Sequence, residues 1–300
     1  ERAVALGRLW PWAAPVSALL ALLATGWAGS AAYPALMLLA SLLLLEQVVL
    51  WQRSPGAQTA IPLLAVGLLL LTDWRWGHGV SPEFCAPGWA TFLILLIAAE
   101  RIEFSFLAQK RNLWMILAVL TNCLGLLFQE WRVLGLGWAG LALWLVRHDI
   151  ARLNYRRFGL AAYSARSVLA GYFWLVCSGL QLVVFGLPYS AGPHFDRVLH
   201  GVFVGFVLSM VMAHGPIIFP ALCKLPICFG PWFYLPLALL HLSLAGRCLG
   251  WQSAGAAGNL LSMLLFGVTM AVHYRPGHNP WLVHQLSSPE ASRNKFQSKT

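Results

Sequence analysis

Apolar residues fall along the chain in long blocks rather than in short alternating runs. LMLLASLLLLEQVVLW, at residues 36–51, is typical. A transmembrane β-strand would alternate over about ten residues, whereas unbroken leucine-rich blocks predict membrane-spanning helices. The blocks and the short polar connections between them predict an all-α integral membrane protein of ten transmembrane helices. The expected spans are about 11–28, 33–51, 59–72, 88–106, 113–129, 131–147, 166–187, 196–215, 232–249 and 254–274. Residues 1–275 then form one polytopic domain and 276–300 a polar tail. The first apolar block continues into the multi-span pattern, so it is expected to be a span rather than a cleaved signal.

Composition agrees with the pattern. Hydrophobic residues make up 59% of the 300 and charged residues 10%, a balance foreign to water-soluble domains. The formal charge of +10 would suit nucleic acid if it sat in a folded basic domain. It lies instead in the connections between spans, so nucleic acid is not expected as a partner and the bilayer is. All but Arg75, Arg132, Arg197 and Arg247 of the 20 lysines and arginines fall on the side of the termini. That bias predicts both termini in the cytoplasm. The most basic connection, RHDIARLNYRRFGLAAYSAR at 147–166, suits anionic lipid headgroups on that face. Next to Asp149, its His148 is expected to be solvated or to face the headgroups. The six cysteines form no Cys-x-x-Cys pair.

Candidate chemistry concentrates in the back half. His200 and His214 bound an apolar run, and an intramembrane histidine points to a functional site by default. In a uniform α-helix the two lie about 40° apart around the axis and ~21 Å apart along it. Gly201, Gly205, Ser209 and Ala213 form a small-residue stripe beside them, open to a neighbouring helix or a flat ligand. Pro216 and Pro220 are expected to end the helix. His241 lies on the ninth span and His273 at the foot of the tenth. Imidazole ligates haem iron and copper. His214 and His273 match in depth, and His200 with His241 makes a looser pair. Elsewhere, His78, Glu83 and Cys85 in TDWRWGHGVSPEFCAPG offer soft-metal donors, with a tryptophan belt as the plainer reading. Glu100 and Glu103 share a helical face, and an interfacial pairing with Arg101 is preferred there to a proton relay.

The run RVLHGVFVGFVLSM, with His200, Gly205 and Met210 in the order His-x4-Gly-x4-Met, resembles the histidine-bearing helix of the NnrS family. GYFWL at 171–175 shares the likeness. The resemblance implies a bacterial inner-membrane protein that binds haem b or copper and handles nitric oxide or redox chemistry. His200, Gly205 and Met210 are the residues carried over, and His200 is the ligand. The family's front-half His-x-His-Glu motif has no counterpart, since residues 1–77 contain no histidine. Two other classes fit the same topology. One is a ten-span drug/metabolite-type transporter, which would need an inverted repeat that the two halves do not show. The other is a non-catalytic subunit held by other membrane subunits. The sequence carries no Ser-His-Asp order, phosphate loop or paired catalytic carboxylates.

Overall fold

The computed structural model describes residues 33–103, 113–187, 192–223 and 227–274. The expected span at 11–28 and the tail at 276–300 lie outside the described residues. Each of the other expected spans coincides with a helix. These are α1 (Tyr33–Arg53), α2 (Ala57–Gly77), α3 (Pro82–Glu103), α4 (Leu113–Leu127), α5 (Trp131–His148), α7 (Gly159–Phe185), α10 (Tyr234–Cys248) and α11 (Gln252–Val272). The eighth expected span is a continuous helical run made of α8 (Pro193–His200), a π-helical stretch (Gly201–Leu208) and α9 (Ser209–Cys223). A short α6 (Ala151–Asn154) and a 3-10 turn (Pro231–Phe233) complete the elements.

Among the described residues, six helices are long and apolar enough to cross a membrane: α1, α2, α3, α7, the run Pro193–Pro220 and α11. The others fall short for visible reasons. Helices α4 and α10 have 15 residues each, about 22 Å of rise against the ~30 Å of a hydrocarbon core. Helix α5 is bounded by Arg132 and Arg147, which shorten its apolar middle. Exposure follows a membrane protein's pattern. Leu260, Leu261, Leu264, Val268 and Val272 stand exposed on α11, while Thr91, Ser167 and Ser262 are fully buried with their hydroxyls donating to backbone carbonyls. In lipid the polar groups must be satisfied inside, and the leucines need not be hidden.

The chain divides into two compact units. The first holds the residues up to Leu153 with Leu169–Leu208; the second holds Asn154–Val168 with the residues from Ser209 onward. In the first unit, successive helices pack as antiparallel hairpins. Helix α4 turns into α5 through Gln129, which takes the left-handed conformation (φ 56°), and the Glu130 amide donates to the Gly125 carbonyl at 2.9 Å. The Arg75 guanidinium of α2 donates to the carbonyls of Leu126 and Leu127 at 2.9 and 3.1 Å. It thereby caps α4, whose last carbonyls have no partner within the helix, and a cation there also meets the negative end of the dipole.

In the second unit α10 and α11 form a hairpin through Gly250, whose φ of 105° suits only glycine. The helices close tightly because Gly255 and Gly258 face Ser243 and Arg247, where a Cβ would not fit. Polar groups are settled within the hairpin. The Ser243 hydroxyl donates to Asn259 Oδ1 at 2.5 Å, and the Ser262 hydroxyl donates to the Pro236 carbonyl at 2.7 Å.

Candidate functional site

His200 is the last residue of α8. Its Nδ1 lies 2.9 Å from the Asp196 carbonyl and 3.1 Å from the Asp196 carboxylate. Both partners are acceptors, so Nδ1 is the donor in these contacts and Nε2 takes no part in them. The side chain is about one-third exposed (34%), which leaves that nitrogen approachable. Immediately after it the backbone widens into eight π-helical residues, Gly201–Leu208, with Gly205 buried among them. A π-helix bonds i to i+5 and turns less per residue than an α-helix. The uniform register that placed His200 and His214 about 40° apart therefore does not hold. The small-residue stripe also acquires a definite neighbour. A Cβ at Gly201 would run into the buried Ser178 hydroxyl on α7, so this glycine admits a helix rather than a flat ligand.

The other three histidines and Met210 belong to the second unit. Met210 is buried, and its carbonyl accepts from His214 Nδ1 at 2.8 Å. His214 is half-buried on α9, and the helix runs through Pro216 and Pro220 to Cys223 instead of stopping. This corrects the expectation of a break. A proline removes one amide from the ladder, and spanning helices tolerate it when neighbours satisfy the freed carbonyl. His241 is half-buried on α10. His273 caps α11, with Nδ1 at 2.9 Å from the Thr269 carbonyl and its own carbonyl accepting from the Cys228 amide at 2.9 Å. Its ring packs on Phe233, with centroids 5.2 Å apart. Its Nε2 faces Gly230 so closely that a Cβ there would stand 2.5 Å away.

His273 is thus built into the packing of the 227–233 segment, with its Nε2 set against Gly230. We expect Gly230→Ala to displace that ring and to cost about 1–3 kcal/mol, the usual range for overpacking. Thermal unfolding in detergent measures it, and an unchanged Tm would show that the ring has room to turn. Donation from Nδ1 to a carbonyl four residues back also occurs at His78 and His148, so it is a habit of helical histidines. His200 differs from those two in adding a carboxylate.

A buried polar cluster with several hydrogen bonds lies elsewhere in the first unit. Arg101 of α3 meets Asp149, the C-cap of α5, in a two-pronged pair: Nε to Oδ2 at 2.7 Å and Nη2 to Oδ1 at 2.5 Å. The Tyr172 hydroxyl of α7 donates to Oδ2 at 2.5 Å and the Ala151 amide to Oδ1 at 2.7 Å. Arg101 is 8% exposed, Asp149 2% and Tyr172 0%. The carboxylate in this pair, Asp149, is not one that the sequence analysis matched with Arg101. His148 is half-buried, its ring against Trp144 with centroids 4.6 Å apart. Tyr172 had entered only as part of GYFWL. A lone acidic residue beside a span was the available signal, because a carboxylate there needs a buried partner.

Near the C-terminal end of α2, Asp73 is buried and accepts from the Trp89 indole at 2.9 Å. Trp89 in turn meets Trp76 edge to face, centroids 6.1 Å apart. Cys85 is buried with its Sγ 3.8 Å from the Thr72 carbonyl, whereas His78 is exposed and stacks on Trp74. Among the described residues no three His, Cys, Asp or Glu side chains converge as a metal cluster would. His78, Glu83 and Cys85 therefore do not form one, and neither do the three described histidines of the second unit. A haem held by one or two imidazoles needs no such group.

The family described as Domain of unknown function (DUF8744) matches residues 1–275. No curated protein and no solved structure matches the chain.

Proposed function

We propose, for a chain that belongs to the DUF8744 family, a haem-binding protein of the bacterial inner membrane with both termini cytoplasmic. Its role is redox or nitric oxide handling, with copper as the second metal its imidazoles suit. One observation carries the reading. His200 is held by Asp196 through both the backbone carbonyl and the carboxylate, at 2.9 and 3.1 Å. Metal-ligating histidines are characteristically oriented in this way, with the distal nitrogen left to the metal. The donor set fits. His200 is the candidate ligand of the first unit, and His214 and His241, half-buried on apolar helices, are the candidate donors of the second. His273 ligates only if the segment around Gly230 withdraws from its Nε2. Gly205 and Met210 are carried by the NnrS resemblance, as wall residues rather than donors. When bound, haem or copper supplies the one-electron and nitric oxide chemistry. The chain's own part is to fix the His200 tautomer and to keep the site apolar.

Absorption spectroscopy of protein purified from haem-replete cells, with metal analysis, tests the proposal. A Soret band or stoichiometric copper is expected in the parent protein and should vanish in His200→Ala. Asp196→Asn should weaken metal affinity by about 10–100-fold, the usual cost of losing an orienting partner. Protein that takes up neither haem nor copper after reconstitution overturns the reading.

A further inference from the structure

The second unit contains an unusual electrostatic arrangement. None of its described residues is Asp or Glu, yet Arg156, Arg157 and Arg166 all stand exposed on it. Among the described residues no ion pair involves them. Two of the three guanidiniums are nevertheless held in place, by tyrosines. Arg156 Nε donates to the Tyr155 hydroxyl at 2.6 Å, and its guanidinium stands 5.2 Å from the Tyr155 ring centre. Arg166 Nε donates to the Tyr155 carbonyl at 3.1 Å, and Nη1 donates to the Tyr234 hydroxyl at 2.9 Å. Its guanidinium lies 5.6 Å from the Tyr234 ring centre. Tyr234 is fixed from below by buried Tyr163, ring centroids 5.2 Å apart. Tyr155 therefore sits between two ordered arginines.

Phe158 follows Arg156 and Arg157 directly and is 93% exposed. Trp232 and Leu235, flanking Tyr234, are exposed as well. A bare phenylalanine beside unpaired guanidiniums is costly in water and natural where headgroups meet acyl chains. Guanidiniums present a planar fork to phosphate oxygens, and tyrosines that hold them beforehand reduce the ordering that binding requires.

We infer that Tyr155, Arg156, Arg157, Phe158, Arg166 and Tyr234 form a binding site for an anionic phospholipid of the adjoining leaflet. The guanidiniums take the headgroup phosphate, and Phe158 enters the acyl boundary. The juxtaposition is specific because tyrosines hold two of the arginines and none of the three meets a carboxylate among the described residues, whereas a merely topogenic arginine needs neither property. This site does not depend on the haem reading.

The test uses the full-length protein in nanodiscs of phosphatidylcholine with a minor share of phosphatidylglycerol, and reads the lipid retained on extraction. Each arginine near a charged surface is worth about fivefold in affinity. The triple variant Arg156→Gln, Arg157→Gln, Arg166→Gln should therefore lose phosphatidylglycerol enrichment on the order of a hundredfold. A control with the same charge change, Arg53→Gln, Arg147→Gln, Arg152→Gln, should keep most of it. Tyr234→Phe leaves the charge unchanged and should still reduce enrichment severalfold. Unchanged helical circular dichroism shows that each variant is folded. Equal losses in the two triple variants would reduce the effect to bulk charge and overturn the site. So would an absence of enrichment in the parent protein, or its abolition by inorganic phosphate, which would mark a soluble phosphate compound as the ligand.

Discussion

Asp149→Ala is expected to destabilise the protein by about 3–5 kcal/mol, the cost of removing one member of a buried ion pair. Arg101 would remain at 8% exposure with its two-pronged partner gone, and the Tyr172 hydroxyl would lose its acceptor in a fully buried position. The loss also reaches the backbone, because the Ala151 amide bonds the same carboxylate and fixes the turn after α5. Asp149→Asn keeps the shape but exchanges two acceptor oxygens for one acceptor and a donor facing the guanidinium, so it should recover little. The double variant Arg101→Leu, Asp149→Leu removes both charges and should be markedly less damaged than either single change, since replacing a whole buried pair by apolar groups is often near neutral. Denaturant or thermal unfolding in detergent, run as a double-mutant cycle, measures all three. Additive losses would show that the two residues act independently and would defeat this account of the cluster.

The positions of the helices were legible in the sequence because apolar blocks and polar connections alternate on the scale of a bilayer. The partner of Arg101 was not. Glu100 and Glu103 are adjacent in sequence and look like the obvious pair, whereas Asp149 lies 48 residues away and reaches Arg101 only once α3 and the end of α5 are packed. The π-helical stretch was equally hidden. GVFVGFVL is as apolar on every side as any buried helix, so its pattern cannot distinguish i+4 from i+5 bonding. Prolines 216 and 220 misled because their helix-breaking tendency in water is weaker where other polar groups are scarce. For the histidines, the spacing along each span set only an expected depth and left orientation open. The Asp196 contact that singles out His200 needs only a four-residue spacing, so it was visible in PHFDRVLH. The setting of His273 against Gly230 depends on an intervening loop and was not.

The second large effect is expected where two helices touch through glycine. Helices α5 and α7 meet at Gly135 and Gly179, and each glycine occupies the space that the other's Cβ would need. A Cβ on Gly135 would lie 2.5 Å from the Gly179 carbonyl oxygen and 2.7 Å from Leu182 Cβ. One on Gly179 would lie 2.6 Å from the Gly135 oxygen and 2.7 Å from the Ala139 amide nitrogen. Backbone atoms cannot swing aside as a side-chain tip can, so accommodation requires the helices to separate. Small residues set such close crossings in membrane proteins because dispersion contacts, rather than exclusion of water, hold spanning helices together. Gly179→Ala should therefore cost about 1–3 kcal/mol, and Gly179→Leu more than that range. Separating α5 from α7 also pulls Asp149, just past the end of α5, away from Tyr172 on α7. The Gly179→Leu variant should accordingly lose much of the added penalty of Asp149→Ala, giving a positive coupling between sites that share no direct contact. Unfolding midpoints of the two single variants and the combination decide it. If Gly179→Leu is as stable as the parent chain, the crossing is not held where these distances put it.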